Sequence, residues 1–193
     1  MLSAVIATHD SERTLVPTLS ALVPGVTSGL LRDVVIADGG SRDATAEVAD
    51  IAGCRFMQSG APLGTRLREA ARAAKGAWLL FLPAGSIPSA DWRAAAERFI
   101  ADAERMDRAG SRAASFRLES AGDLVRPTLA ELAALLRQVF GGVPHPDRGL
   151  LIARRFYDAL GCHGDDAHAD VALMRAIGRR RIAILPAGVV RRA

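Results

Sequence analysis

The chain of 193 residues is short of lysine, aromatic residues and cysteine. Its two cysteines, Cys54 and Cys162, stand in unrelated contexts with no C-x-x-C or Cys/His spacing. That excludes a disulfide-stapled scaffold and predicts free thiols in a reducing cytoplasm. No apolar run reaches the roughly 18 residues that a membrane-spanning helix needs. Met1–Thr8 has no basic region ahead of its apolar residues and reads as a first strand, not a signal peptide. Neither G-x-G-x-x-G nor the phosphate-loop pattern G-x-x-x-x-G-K-[ST] occurs. With one tyrosine, no aromatic platform and no zinc or helix-turn-helix motif, a nucleic-acid partner would rest on charge alone.

The scarcity of lysine explains that charge. Lys75 is the only lysine, so 24 of the 25 basic groups are arginines, which do not titrate near neutrality. A sequence pI near 10.0 on a net charge of only +4 records this bias and does not call for nucleic acid. The excess is local. Residues 1–147 hold 16 basic and 17 acidic groups, and residues 148–193 hold 9 and 4. Arg179–Arg181 and Arg191–Arg192 supply most of it, as a solvated basic surface or as a face toward phosphates or anionic lipid.

A composition that is 50% hydrophobic and 24% charged excludes disorder, and this length suits one domain with a sizeable core. Short apolar strands are predicted at 3–8, 33–38, 54–58 and 77–82. Amphipathic helices are predicted at 14–23, 43–52, 63–75 and 89–108, with Gly53 and Gly76 closing the second and third and Ser89 capping the fourth. This alternation predicts an α/β fold with a mainly parallel sheet covered on both faces. Beyond it lie an alternating edge-type strand at 114–120 and an amphipathic helix at 128–140. A strand at 149–153, a helix at 154–160, a helix near 168–178 and a strand near 181–185 complete the pattern. Trp78 and Trp92 are expected in the core. No repeat or linker divides the chain.

Ligands of open α/β sheets bind beyond the carboxyl ends of the parallel strands. Three junctions lie there: Thr8–Glu12, Asp38–Thr45 and Pro83–Ser86. In the second, an aspartate ends the strand, two glycines allow a sharp turn, and Ser41 and Asp43 can cap the next helix. That pattern alone fits a well-built turn as readily as a binding loop.

In order, VIATHDSERTL, VVIADGGSRDAT and GAWLLFLPAGS resemble the N-terminal half of family-2 glycosyltransferases of the GT-A fold. The usual family forms are close to VIPTYNE, VVDGGSTDGT and a strand ending in a DxD-type motif. RGLLIARRFYDALGCHGDDAHADVALMRAIGRR resembles the stretch that runs into the family's ED motif, so the likeness spans about residues 3–190. It is closest to short bacterial members. It implies a Rossmann-like three-layer α/β/α sandwich, with residues 1–108 as a nucleotide-binding half and residues 109–193 as an acceptor-side half with a basic end.

The resemblance also implies roles. Thr8, Asp10, Glu12 and Gly39 would line the nucleotide pocket, and Asp38 would accept a hydrogen bond from the base, as a carboxylate can. Arg66 and Arg68 would face the diphosphate, with a solvated helix face as the alternative. Asp170, in His168-Ala169-Asp170, would be the base that deprotonates the acceptor. Two positions depart from the pattern. Gly85 stands where the family has its metal-binding carboxylate, with Ser86 a poor substitute and Asp91 expected in the next helix's first turn. Ala169 stands where the family has glutamate. A divalent cation, Mg²⁺ or Mn²⁺, is therefore implied by the family but poorly served here. A makeshift site of His163, Asp165, Asp166 and His168 is the weaker option against a solvated turn.

The expected function is transfer of a sugar from a UDP- or GDP-linked donor to an unspecified acceptor, inverting, with Asp170 as base. The alternative is a GT-A-like protein that has lost catalysis and binds a nucleotide or a partner. The expected partners are a nucleotide sugar and an acceptor, with no nucleic acid. A peripheral membrane contact through helix 128–140 and the last arginines completes the expectations.

Overall fold

The structure is a computed structural model and describes residues 1–119, 144–165 and 168–192. The strands are β1 (Leu2–Thr8), β2 (Leu31–Asp38), β3 (Arg55–Gln58), β4 (Trp78–Pro83), β5 (Ser86–Pro88), β6 (Ala113–Glu119), β7 (Leu150–Ala153) and β8 (Ile182–Arg191). The helices are α1 (Glu12–Thr27), α2 (Thr45–Ile51), α3 (Leu63–Ala73), α4 (Trp92–Arg105), α5 (Arg154–Ala159) and α6 (Ala169–Ile177). One sheet runs in the order β3-β2-β1-β4-β7-β6-β8-β5. The β3-β2-β1-β4 half is parallel throughout. β7 is antiparallel to both of its neighbours, β8 runs parallel to β6, and β5 lies antiparallel on β8. This is the expected single-domain α/β sandwich with a mainly parallel mixed sheet.

The central strands are apolar on both faces because helices cover both. Val5, Ile6, Leu79 and Leu80 have no solvent exposure. Trp78 and Trp92 are core residues, as expected. The Trp92 ring lies so close to α1 that a Cβ on Gly25 would come within 2.7 Å of it, and its Nε1–H donates to the Ala21 carbonyl at 2.8 Å. Burial of this polar handle is thus matched by an acceptor.

Several boundaries differ from the sequence reading, each for a local reason. The 114–120 strand is no edge: β6 lies between β7 and β8. Its first four residues are buried and its last three exposed, since β7 pairs only with Ala113 and Ala114 and the outer half is flanked by β8 alone among the described residues. β8 runs six residues beyond the predicted 181–185 and meets β5, a three-residue strand that the periodicity did not show. α3 ends before Gly76, which serves another purpose. A Cβ there would stand 2.6 Å from the Ser3 amide nitrogen, so the glycine lets the chain pass β1. α4 starts at Trp92 rather than at 89, and its N-cap is Asp91. The predicted helix 128–140 lies outside the described residues, as does Asp166.

Candidate functional site

The β1 and β2 ends are built as one ledge. Asp38 has no solvent exposure, and its carboxylate receives four donors. Thr8 Oγ1 donates to Oδ1 at 2.8 Å, Ser41 Oγ donates to the same oxygen, and the Gly40 and Ser41 amides donate to Oδ2 at 2.8 Å each. Burial alone would push this carboxyl up, but the bonds from Ser41, Thr8 and Gly40 outweigh it and hold it below the usual carboxylate range. A carboxylate has about four acceptor positions, so these donors fill it.

The same interlocking continues outward. The Asp10 amide donates to Ser41 Oγ at 2.8 Å, and Asp10 Oδ1 accepts from the Arg42 amide at 2.8 Å. Asp10 holds a left-handed backbone (φ 46°), where the fixed loop compensates the strain. The Ser11 amide donates to Thr45 Oγ1 at 2.9 Å, and the Glu12 amide donates to Asp43 Oδ2 at 2.9 Å. The Asp43 side chain thus receives Glu12 as well as the Thr45 amide at 3.0 Å, and joins two loops besides serving α2. Thr8 is buried, and the side chains of His9, Asp10 and Glu12 stand exposed on the ledge beside Gly39.

Arg66 and Arg68 are both engaged by partners within the chain. Arg66 is half-buried under the strand ends. It donates to the carbonyls of Ala37 (2.7 Å), Ala61 (3.1 Å) and Thr8 (3.3 Å). Its guanidinium lies against Gly39, where a Cβ would be 3.1 Å away. Burial lowers its pKa, and the negative Asp38 opposes that shift. Arg68 reaches the 162–165 loop, donating to the His163 carbonyl at 3.0 Å and to Asp165 Oδ1, which also accepts from Thr65 at 2.9 Å.

That loop turns His163 inward to 1% exposure. Tyr157 lies 2.7 Å from Nδ1 through its hydroxyl, and that hydroxyl also accepts from the His163 amide at 3.2 Å. The imidazole ring packs edge-on to Phe81 at 4.8 Å. Burial, aided by Arg68, lowers its pKa to about 4, so it is neutral near pH 7. Among the described residues the makeshift metal cluster is not assembled: His163 bonds Tyr157, while Asp165 is an exposed partner of Arg68 and Thr65.

A cavity of about 210 Å³ opens beyond the ends of β1 and β4. Ala7, Leu67, Phe81 and Met174 make much of its wall apolar, and Asp147, His163, Asp170 and Arg191 supply its polar groups. Asp170 stands in the first turn of α6 and is half-buried. The close approach of α3 sets this position. A Cβ on Gly64 would lie 1.9 Å from the Gly164 carbonyl oxygen and 2.4 Å from Ala169 Cβ. Ala169 is fully buried where α3 comes this close. Asp38 does not line this cavity, but the ledge adjoins it through Ala7 and Thr8.

Gly85 shows the other departure. Its φ is +86°, and a Cβ would lie 2.1 Å from the Arg192 carbonyl oxygen. Its amide donates to Thr18 Oγ1 at 3.0 Å, and its carbonyl accepts from the Arg192 amide at 2.9 Å. Gly85 is therefore packed between α1 and the end of β8. Ser86 is fully buried, and its hydroxyl has no hydrogen-bond partner among the described residues. Asp91 accepts from Ser89 at the start of α4. No group of three His, Cys, Asp or Glu side chains among the described residues is placed to hold a metal. The donor set at this junction does not fit a hard divalent cation.

Sequence reasoning did not single out Asp147 or Tyr157, and it met Arg191 only as part of a basic run read as a solvated surface or a face toward phosphates. Asp147 follows a Pro-bounded loop and carries no local signal. No helix among the described residues is long and apolar enough to cross a membrane.

The model of the family described as glycosyl transferase family 2 matches residues 3–114. A search of the curated proteins finds no match. Among solved structures, glucosyl-3-phosphoglycerate synthase from Mycobacterium tuberculosis, in complex with Mn²⁺, UDP and glucosyl-3-phosphoglycerate, matches with a TM-score of 0.70. Identity is 19%, over 100% of this chain and 72% of that one. S. aureus TarS 1-349 matches with a TM-score of 0.71 at 15% identity, over 97% of this chain and 59% of that one. A further structure of the S. aureus protein is a complex with UDP-GlcNAc, with a TM-score of 0.66 and 13% identity. At these identities the likeness concerns the fold.

Proposed function

Since the chain belongs to glycosyl transferase family 2, we propose that it transfers a sugar from a nucleoside diphosphate donor to a hydroxyl acceptor. The observation that carries this reading is the cavity beyond β1 and β4, with Asp170 in its wall and the Asp38 ledge beside it. The base of the donor lies on the ledge against Gly39, between Asp10 and Glu12. Asp38 holds the ledge, and it meets a base N–H only when the Ser41 or Thr8 hydroxyl turns away from Oδ1. Residues 1–108 thus carry the nucleotide, and residues 109–193 bring Asp170 and the acceptor side.

Asp170 takes the proton from the acceptor hydroxyl. That oxygen attacks the anomeric carbon from the face opposite the diphosphate. The new C–O bond forms as the bond to phosphate breaks, and the nucleoside diphosphate leaves with the electron pair, inverting the centre. Arg66 and Arg68 act through their backbone partners, Arg66 fixing the strand ends and Arg68 the loop ahead of α6. The M. tuberculosis and S. aureus proteins, in complexes with UDP and UDP-GlcNAc, support a uridine donor.

Calorimetry with UDP and GDP tests the donor step. A nucleotide that binds, together with donor hydrolysis or transfer lost in Asp170→Asn, is the expected result. Absence of binding by every nucleoside diphosphate refutes the reading.

A further inference from the structure

The cavity has a cation of its own at the position the metal-binding carboxylate vacates. In the pairing of β5 with β8, Ser86 stands opposite Arg191, and the Gly85 carbonyl accepts from the Arg192 amide at 2.9 Å. The end of β8 therefore fills the space of a side chain at position 85, and the neighbouring Arg191 lines the cavity shared with Asp170. Its guanidinium forms an ion pair with Asp147, itself beside His145 at 3.2 Å. The Arg191 side chain keeps 41% of its exposure, so it remains open to a ligand.

We infer that Arg191 binds the diphosphate of the donor and makes donor binding independent of a divalent cation. This rests on the nucleotide-sugar reading above. A planar guanidinium suits the task, because it offers parallel N–H donors to phosphate oxygens and stays charged at any working pH. Asp147 holds the side chain at the cavity wall, and a diphosphate, with more charge and more acceptor oxygens, displaces it. The leaving diphosphate then meets a fixed positive group where charge develops.

The test is calorimetry of UDP, GDP and their monophosphates, each with EDTA and with Mn²⁺, on the intact chain and on Arg191→Gln and Arg191→Lys. The inference expects a diphosphate to bind in EDTA within about threefold of its affinity in Mn²⁺. Arg191→Gln weakens the diphosphate about tenfold or more and changes the monophosphate much less. Arg191→Lys, which keeps the charge, recovers part of the loss. Thermal unfolding unchanged in Arg191→Gln separates this from misfolding. Diphosphate binding that requires Mn²⁺, or that Arg191→Gln leaves intact, overturns the inference and leaves the glycosyltransferase reading standing. No nucleotide binding under any condition overturns both.

Discussion

Replacing Asp38 by asparagine tests whether the ledge is held by charge. The two side chains have the same shape, so the change keeps packing and removes the negative charge. Two backbone amides at 2.8 Å and two hydroxyls bond the wild-type carboxylate. The asparagine carbonyl can keep the amides of Gly40 and Ser41, and the hydroxyls of Thr8 and Ser41 can rotate to accept from its NH₂. Four bonds survive in number but lose their charge assistance. Bonds to a charged acceptor contribute about 1.5–3 kcal/mol and neutral ones about 0.5–1.5, so the lost part sums to about 4 kcal/mol. Burying a neutral amide instead of an ion offsets about half, leaving a loss of about 2 kcal/mol at pH 7. The sign of the pH dependence follows from the depressed carboxyl. The unfolded aspartate titrates near 3.9, and the folded one lower, so the charge stabilises fully above about pH 5 and its contribution fades as pH falls through the folded value. Urea unfolding of both proteins at pH 7 and at pH 3.5 measures it. The gap should be about 2 kcal/mol at neutrality and narrow in acid. A gap under about 0.5 kcal/mol at pH 7, or one independent of pH, refutes the argument.

Other perturbations follow from the same geometry. Gly85→Asp, which puts a carboxylate at this junction, forces a side chain onto the Arg192 carbonyl at a positive φ; thermal unfolding should show a loss of about 3 kcal/mol, and calorimetry no gain of Mn²⁺ binding. Gly64→Ala should destabilise by about 2 kcal/mol despite alanine's helix propensity, because the new methyl meets Gly164 and Ala169, and it should lower kcat through Asp170. His163 protonates near 6.5 when unfolded and near 4 when folded, so its contribution is complete above pH 6.5 and lost as pH falls to about 4. The NMR signals of its ring should show no titration between pH 5 and pH 8, and acid should cost about 3 kcal/mol less in a His163→Gln variant.

The fold was legible because each signal was local. Continuous apolar runs such as Trp78–Leu82 belong to strands covered on both faces, and their alternation with amphipathic helices dictates the parallel half of the sheet. The boundaries that failed depended on distant partners. β5 has only three residues and exists because β8 reaches it. The alternation of β6 resembled an edge because one of its two neighbours is short. The α3 terminus was misplaced because Gly76 looks like a helix cap and in fact lets the chain pass Ser3.

The site was legible as a set of places and much less as a set of roles. Asp38 looks like a free acceptor in sequence, yet its own turn fills its lone pairs. Arg66 looks like a phosphate ligand, yet three carbonyls hold it. What decides such roles is whether a polar group is already satisfied, and that depends on segments remote in sequence. The two departures from the family pattern follow the same logic. Ala169 is buried where α3 passes at Gly64, and the end of β8 lies on Gly85. From sequence, each reads as a missing carboxylate. In the fold, each is a close contact between distant segments, and the second brings Arg191 to the cavity. Both contacts join segments remote in sequence, which is why neither motif alone discloses them.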